Sequence, residues 1–453
     1  MKSQSMTAVR CLAASFALVA ALACTAIPVQ AAEDRVVVLT SYPEELTVRF
    51  QAAFERLHPG KRVEVLWRQS ADALAYLRRG GAKDVDVYWT PAPGNFVALR
   101  DEGRLAKLDI DRSQLPAEIA GFSISDPGGY FAAFELAGNG IAYNLEALRK
   151  LGLPPPRDWS DLAAPAYAHR VGLPIPGRVG FAPVLIEAVL QGYGWDRGWA
   201  VLSEIAGNAD FDASASTPGT DDIVSGRKAA LMTIDFFAAT AIAAGAPVRF
   251  VYPPQTAYNP AQIAVLADAP HPQMAREFVA FALSADGQAL LLHPDVRRLP
   301  VRLDLYAAHP ELSAQPFAPG NLAYDGALTR ARQGLVATLF DQALVKRHAE
   351  FAALWQAVHE AESAGRRDDP ATLQARAVLA AAPIGDIDQS DPALRRTFAF
   401  PDRVPSATQG GAAAAPVVKQ DDGSPRKDIE ARWQNDLSAR INAASTILKR
   451  KER

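Results

Sequence analysis

The stretch at residues 229–266, AALMTIDFFAATAIAAGAPVRFVYPPQTAYNPAQIAVL, decides the fold of this chain. It predicts an apolar strand that ends at Asp235, a short Ala-rich helix closed by Gly245, and a second strand over residues 248–252. A polar crossing then leads into a third strand that starts at Gln262. Strand, helix and strand in this order are typical of an α/β protein.

Polar and aromatic residues lie where these strands end. Ligands of α/β sheets bind beyond the carboxyl ends of the strands, so Asp235, Phe236 and Tyr258 are candidate ligand-binding residues. The alternative is that Phe236 and Phe237 are core residues and that Tyr258 packs over a loop.

Three strand-then-helix units precede this stretch. Strands are predicted at residues 35–41, 61–69 and 84–90, and a helix follows each of them. Ser41 and Glu44 have the spacing of a capping box, and Ser70 is predicted to cap the second helix. The units predict a mostly parallel sheet, with helix N-termini at one edge where an anion could bind.

The pattern divides the chain into segments. Lys2 and Arg10 precede an apolar run and a small-residue site, which predicts a secretory signal cleaved after Ala31. The predicted organisation is a signal at 1–31, a discontinuous first lobe at 32–130 and 262–305, a second lobe at 131–261, a helical extension at 306–400, a flexible linker at 401–426 and an amphipathic basic helix at 427–453. The chain leaves the first lobe once and returns to it once, so two connecting segments are predicted to form a hinge.

The C-terminal part exceeds what two lobes need. We expect the helical extension to pack on the first lobe or to present a face to a partner. The last helix could lie on a membrane surface, pair with another protein or dock locally.

Composition excludes several classes of function. Both cysteines, Cys11 and Cys24, fall inside the predicted signal, so thiol catalysis and disulfides are not expected in the exported chain. The formal net charge of −3 does not favour nucleic-acid binding. No catalytic motif occurs, and His359-Glu360 reads as an exposed helix turn, so we expect no enzyme, no cofactor and no metal.

Several segments together resemble the periplasmic solute-binding proteins of ABC importers. They are SYPEELTVRFQAAFE, GIAYNLEALRKLGLPPPRDWSDL, LQGYGWDRGWAVLSEIAGN, IVSGRKAALMTIDFFAA, GAPVRFVYP and HPQMAREFVAFALSADGQALL. The resemblance is to the branch with ferric-iron-, phosphonate- and phosphoglycerate-related members. It implies a type II periplasmic-binding-protein fold, in which two α/β lobes close on a small solute and deliver it to an ABC permease in the inner membrane.

The resemblance also implies where the ligand contacts lie. Mapped onto this sequence, they are Ser41, Tyr42, Arg68, Ser70, Trp89, Arg178, Gly180, Ser216, Thr217 and Asp235. Iron-binding members use two adjacent tyrosines just after the strand that ends here at Asp235. This chain has Phe236 and Phe237 there, which offer no phenolate oxygen to Fe(III).

Hydroxyls, guanidinium groups and helix N-termini suit an oxyanion better than iron. We therefore expect a periplasmic monomer that binds a small anion resembling a phosphonate or a phosphoglycerate. Two alternatives remain open. One is a ferric-iron carrier, with Tyr42, Tyr258 and carboxylates as ligands, and the other is a sensor that reports to a two-component system.

Overall fold

The computed structural model describes residues 34–211, 219–310, 312, 314–399 and 425–449. The predicted signal, most of the predicted linker, Ser216 and Thr217 lie outside these residues. The strands are β1 (Arg35–Thr40), β2 (Arg62–Trp67), β3 (Val87–Thr90), β4 (Glu118–Ile119), β5 (Phe122–Ser123), β6 (Ala132–Asn144), β7 (Val171–Gly172), β8 (Ala230–Ile234), β9 (Val248–Val251), β10 (Tyr258–Val265) and β11 (Leu299–Pro300).

Helices follow the strands in alternation and then dominate the C-terminal third. They are α1 (Glu44–Leu57), α2 (Ser70–Arg78), α3 (Pro93–Asp101), α4 (Leu145–Leu151), α5 (Ala182–Tyr193), α6 (Trp195–Asn208), α7 (Thr220–Val224), α8 (Asp235–Ala243), α9 (Pro272–Ala282), α10 (Ala285–Ala289), α11 (Leu303–Ala308), α12 (Gly326–Phe340), α13 (His348–Ala361), α14 (Pro370–Ala380), α15 (Asp386–Gln389), α16 (Pro392–Thr397) and α17 (Pro425–Lys449).

A long strand, β6, joins two parts of one sheet whose main order is β2-β1-β3-β10-β6-β8-β7. The parallel pairing predicted for the first units is confirmed, since β1 runs parallel to both β2 and β3. The first half of β6 pairs antiparallel with β10 and β11. Its second half pairs antiparallel with β8 and β9.

Among the described residues, buried hydrophobic side chains cluster around both ends of β6. The first core packs β1, β3 and β10 against helices on both faces, with Phe50, Trp89 and Phe278 among its largest buried side chains. The second core contains Trp159, Trp199 and Met232. Phe134 of β6 belongs to the first core and Ile141 to the second, so we place the boundary between the lobes within β6.

The helical extension packs on the second core, so the expectation that it packs on the first lobe is wrong. Trp355 of α13 donates from Nε1 to Ser203 Oγ of α6 at 3.1 Å. A buried ion pair joins Arg332 of α12 to Glu187 of α5, with Nη2 and Oε2 2.8 Å apart. Helix α5 is buried along most of its length, so its apolar surface needs cover on more than one side.

This placement adds a third connection between the lobes. Besides β6 and the segment between β9 and β10, the chain also passes from α11 near the first core to α12 on the second core. Phe317 in this segment packs against the first core, and the Asp325 backbone nitrogen donates to Gln191 of α5 at 2.8 Å. The prediction of two connecting segments therefore missed this third one.

The extension also buries a histidine that the sequence placed at the surface. The side chain of His359 is only 2% exposed, and its Nε2 lies 2.9 Å from Glu204 Oε1. Glu204 also accepts hydrogen bonds from Arg376 of α14. The prediction of an exposed His359 was wrong because it rested on the polar neighbours of His359 in sequence, whereas in the fold this side chain faces α6.

The last helix, α17, docks on this extension. Its Trp433 ring stacks on Phe398 with centroids 4.8 Å apart, and Arg440 donates to the Ala382 carbonyl at 2.7 Å. The helix begins at Pro425, inside the segment predicted as a linker. None of the helices in the described ranges is long and apolar enough to span a bilayer.

Candidate functional site

Three hydroxyl groups meet where β1, β2 and β3 end. Ser41 follows β1, Ser70 opens α2 after β2, and Thr90 is the last residue of β3. Ser70 Oγ lies 3.0 Å from Ser41 Oγ and 2.9 Å from Thr90 Oγ1, and Ser41 and Thr90 are also hydrogen bonded. We call these residues the hydroxyl trio. Parallel strands bring their carboxyl ends to one sheet edge, which is why residues so far apart in sequence converge.

The two predicted helix caps are wrong. Helix α1 has Pro43 at its N-cap and α2 has Gln69, and neither helix has a side-chain cap. Ser41 and Ser70 turn toward each other and toward Thr90 instead. The sequence analysis missed Thr90, although this residue ends β3 at the same sheet edge where β1 ends.

Tyr42 and Trp89, both predicted to contact ligand, lie inside the first core. Trp89 is 1% exposed and packs edge-on against Phe134, with ring centroids 4.7 Å apart. The Tyr42 hydroxyl donates to Glu135 Oε1 at 2.7 Å. Burial, followed by the nearby Glu135 carboxylate, raises the pKa of Tyr42 well above its usual value. Both rings are therefore part of the first core and are not exposed to a ligand.

An arginine that the sequence analysis missed bridges the two halves of the molecule. Arg298, just before β11, places Nη1 3.2 Å from Glu135 Oε1 of β6. Its guanidinium carbon lies 3.9 Å from the centroid of the Phe236 ring, which belongs to α8 on the other half. A guanidinium over an aromatic face is attracted by the ring quadrupole. Arg298 thus joins the first core to the start of α8.

Asp235 is the first residue of α8 and lies beside this bridge. Its Oδ2 accepts hydrogen bonds from the Gly138 backbone nitrogen at 2.7 Å and from the Tyr252 hydroxyl at 3.1 Å. Burial raises the pKa of Asp235 to about 7, against the opposing effects of these hydrogen bonds and of Arg298. The carboxyl group therefore exchanges its proton near neutral pH.

Tyr258 joins the same cluster, so the candidates drawn from residues 229–266 do lie together. It is the first residue of β10 and not a loop residue, and its ring lies 5.9 Å from that of Tyr252 in a stacked arrangement. Burial raises the pKa of both tyrosines. Gly138 permits this packing, because a Cβ there would come within 2.4 Å of the Tyr252 ring.

The remaining predicted residues lie elsewhere. Arg68 stacks on Tyr76 at 4.2 Å and faces a cavity that the hydroxyl trio does not line. Arg178 lies 3.8 Å from Asp341, at the helical extension. Gly180 is exposed in the turn before α5. These side-chain contacts of Arg68 and Arg178 are with residues other than the hydroxyl trio and Asp235.

The protein has two α/β cores that share the strand β6, and polar groups lie where the two cores meet. This architecture is that of a solute-binding protein. The sequence profile of the family described as bacterial extracellular solute-binding protein matches residues 95–324. The chain belongs to this family, whose members act with ABC importers. Its fold is the type II periplasmic-binding-protein fold with a helical C-terminal region.

Relatives and solved structures agree with this assignment. The phosphoglycerate transport regulatory protein PgtC of Salmonella typhimurium is 29% identical over 366 residues, which are 80% of this chain and 89% of that protein. The substrate-binding protein of an ABC transporter from Agrobacterium tumefaciens superposes with a TM-score of 0.53 at 17% identity, covering 70% of this chain and 95% of that one. Trichodesmium IdiA (FutA), in complex with iron and citrate, gives a TM-score of 0.53 at 15% identity, covering 68% and 98%.

Proposed function

We propose that this protein is the periplasmic binding component of an ABC importer and that it captures a small phosphonate- or phosphoglycerate-like anion between its lobes. The hydroxyl trio carries the proposal. Ser41 and Ser70, both hydrogen bonded to the fully buried Thr90, offer hydroxyl donors to phosphate oxygens at the uncapped N-terminus of α2. The 29% identity to a protein named for phosphoglycerate transport supports this class of ligand.

The cluster around Asp235 refines the ligand class. Glu135 and Asp235 are two buried acids that share one nearby arginine, Arg298. A ligand group beside them is favoured if it donates a hydrogen bond, whereas a second anionic group is repelled. We therefore propose that the solute carries a hydroxyl or amino group in addition to its anionic group, with Asp235 as the acceptor.

The alternative of a ferric-iron carrier has less support from the side chains. Hard Fe(III) is bound by anionic oxygens, but burial raises the pKa of the phenols of Tyr42, Tyr252 and Tyr258. Among the described residues, no group of three or more His, Cys, Asp or Glu side chains could hold a metal ion. The proposed monomer needs neither a metal nor a cofactor.

Calorimetric titration tests the proposal. We expect 3-phosphoglycerate and 2-aminoethylphosphonate to release or absorb heat on binding, and ferric citrate to give none. The Ser70→Ala variant should weaken binding at least about tenfold, since a hydrogen bond to a charged group is lost. Ser123→Ala, which removes an exposed hydroxyl from β5, is the matched control and should bind like the wild type. Binding of ferric citrate with no response to either phosphorus compound would refute the proposal.

A sensory role is the second candidate, and the extent of the PgtC alignment favours it. An alignment of 366 residues cannot fit within the first 324, so it includes part of the helical extension beyond the family match. The related protein is named as regulatory. Deleting the gene separates the two roles. Loss of solute uptake with unchanged transcription supports import, and loss of solute-induced transcription while the permease still imports supports sensing.

A further inference from the structure

A cavity of about 390 Å³ lies beside α2, at the edge of the sheet formed by β2. We call it the flank cavity. Its volume falls within the range of small-molecule sites, roughly 300–1,000 Å³. It is lined by Trp67, Arg68, Gln69, Asp72, Tyr76, Arg79 and Gly81.

The arginine in this cavity is held in place by its neighbours. The guanidinium of Arg68 lies over the Tyr76 ring, 4.2 Å from the centroid, and its Nε is buried without a hydrogen-bond partner. A Cβ on Gly81 would come within 2.3 Å of the Tyr76 ring, so the glycine is what allows the tyrosine to lie there. A stacked guanidinium loses little freedom when it binds a planar or tetrahedral anion.

The other lining residues define what could bind. Arg68 and Arg79 together outnumber the single carboxylate of Asp72, which favours a negatively charged group. The indole of Trp67 is 57% exposed at the end of β2, so its ring is accessible to a ligand. Aromatic side chains of this kind stack on flat rings.

We propose that the flank cavity is a second binding site, for a small aromatic acid whose ring lies on Trp67 and whose phosphate, phosphonate or carboxylate group binds Arg68. This site is separate from the hydroxyl trio. None of the trio lines the cavity, and the side chain of Ser70 on α2 is hydrogen bonded to Ser41 and Thr90.

Trp67 provides the readout, with phenylphosphonate as the probe and benzyl alcohol as its neutral counterpart. We expect phenylphosphonate to change tryptophan emission saturably and benzyl alcohol to leave it unchanged. The change should vanish in Trp67→Phe, because the responding indole is gone. Arg68→Gln should raise the apparent Kd at least about tenfold by removing a charge-assisted hydrogen bond.

Three further variants fix the location of the probe. Arg79→Gln alters an exposed lining residue and should raise the Kd several-fold, which keeps the test usable if Arg68→Gln does not fold. Arg56→Gln, an exposed arginine of α1, should have no effect. Ser70→Ala should also leave the emission change intact. An emission change that persists in Trp67→Phe, that ignores both lining arginines, or that is lost in Ser70→Ala overturns the proposal.

Discussion

At the scale of single residues, the buried carboxyl group of Asp235 links the stability of the protein to pH. Burial raises the pKa of Asp235 to about 7, while an exposed aspartate has a pKa of about 3.9. Between these values the folded chain binds more protons than the unfolded chain. The contribution of Asp235 to stability is therefore greatest at low pH and is lost as the pH rises toward 7.

Replacing Asp235 by Asn tests this response. The amide cannot ionise, and only one of its two terminal atoms accepts hydrogen bonds, so at least one of the three that reach Asp235 from Gly138, Tyr252 and Phe236 is lost. We expect Asp235→Asn to be less stable than the wild type at pH 4.5 and the difference to shrink by pH 7.5, by up to about 1.4 kcal/mol per pH unit. Urea unfolding across this range measures the change. The exposed Asp109→Asn variant should track the wild type, and parallel curves for Asp235→Asn would contradict the assignment.

The Arg298–Glu135 pair makes a second prediction at this scale. Removing the arginine leaves a buried carboxylate, whose pKa burial already raises, without its cationic partner. We expect Arg298→Gln to lower the free energy of unfolding by about 3–5 kcal/mol, and the Arg298→Gln/Glu135→Gln double variant to recover part of that loss.

An exposed ion pair supplies the control for this cycle. Arg35 and Glu64 form one at the edge of the sheet, and Arg35→Gln should cost less than about 1 kcal/mol. Chemical unfolding of the wild type, Arg298→Gln, Glu135→Gln and the double variant gives the coupling energy. Additive losses in the double variant would mean that Arg298 and Glu135 act independently.

At the scale of elements, the close approach of α6 and α13 fixes the extension on the second core. Gly207 lies so near Trp355 that a Cβ there would come within 2.6 Å of the tryptophan Cβ. Trp355 also donates a buried hydrogen bond to Ser203, which lies one helical turn before Gly207. A glycine within a helix is unfavourable by itself, so the packing is the physical reason for it.

A pair of glycine-to-alanine variants measures this packing. Gly207→Ala should lower the free energy of unfolding by about 1–3 kcal/mol, because the helices must separate. Gly94 in α3 has nothing within 4 Å of the same added atom, so Gly94→Ala should be neutral or slightly stabilising through helix propensity. Thermal unfolding followed by circular dichroism compares the two. Equal behaviour would show that α13 does not pack on α6 as described.

At the scale of the whole molecule, the second lobe and the helical extension share one core. Trp199 and Leu202 of α6 lie in the same cluster as Leu335 of α12 and Trp355 of α13. A chain without the extension would expose this apolar surface to water, at roughly 25 cal/mol for each Å². The extension is therefore part of the lobe and not an appendage.

Truncation distinguishes these two possibilities. A chain that ends at residue 325 should be aggregation-prone or should unfold at a much lower temperature than the full chain. A chain that ends at residue 399 loses α17 but keeps the other extension helices, so it should lose much less stability. Soluble yield and thermal unfolding report both results. A stable, soluble chain ending at residue 325 would refute the shared core.

Much of the architecture follows from local sequence. Apolar strands followed by amphipathic helices predicted the parallel units of the first lobe. These features depend on residues close together in the chain. Backbone propensity, side-chain periodicity and turn residues act at that range, so they can be read before any fold is known.

The sequence by itself thus determined two α/β lobes, a helical C-terminal part and the hydroxyls of Ser41 and Ser70 at strand ends. Tertiary structure alone decided that Thr90 completes the hydroxyl trio, that Arg298 meets Glu135 across 163 positions of sequence, and that the extension covers the second lobe. It also buries Trp89, which the sequence analysis placed in the ligand site, and His359, which it placed at the surface. The reason is physical: a side chain's partners and solvent exposure depend on which surfaces pack together, and local patterns do not specify that packing.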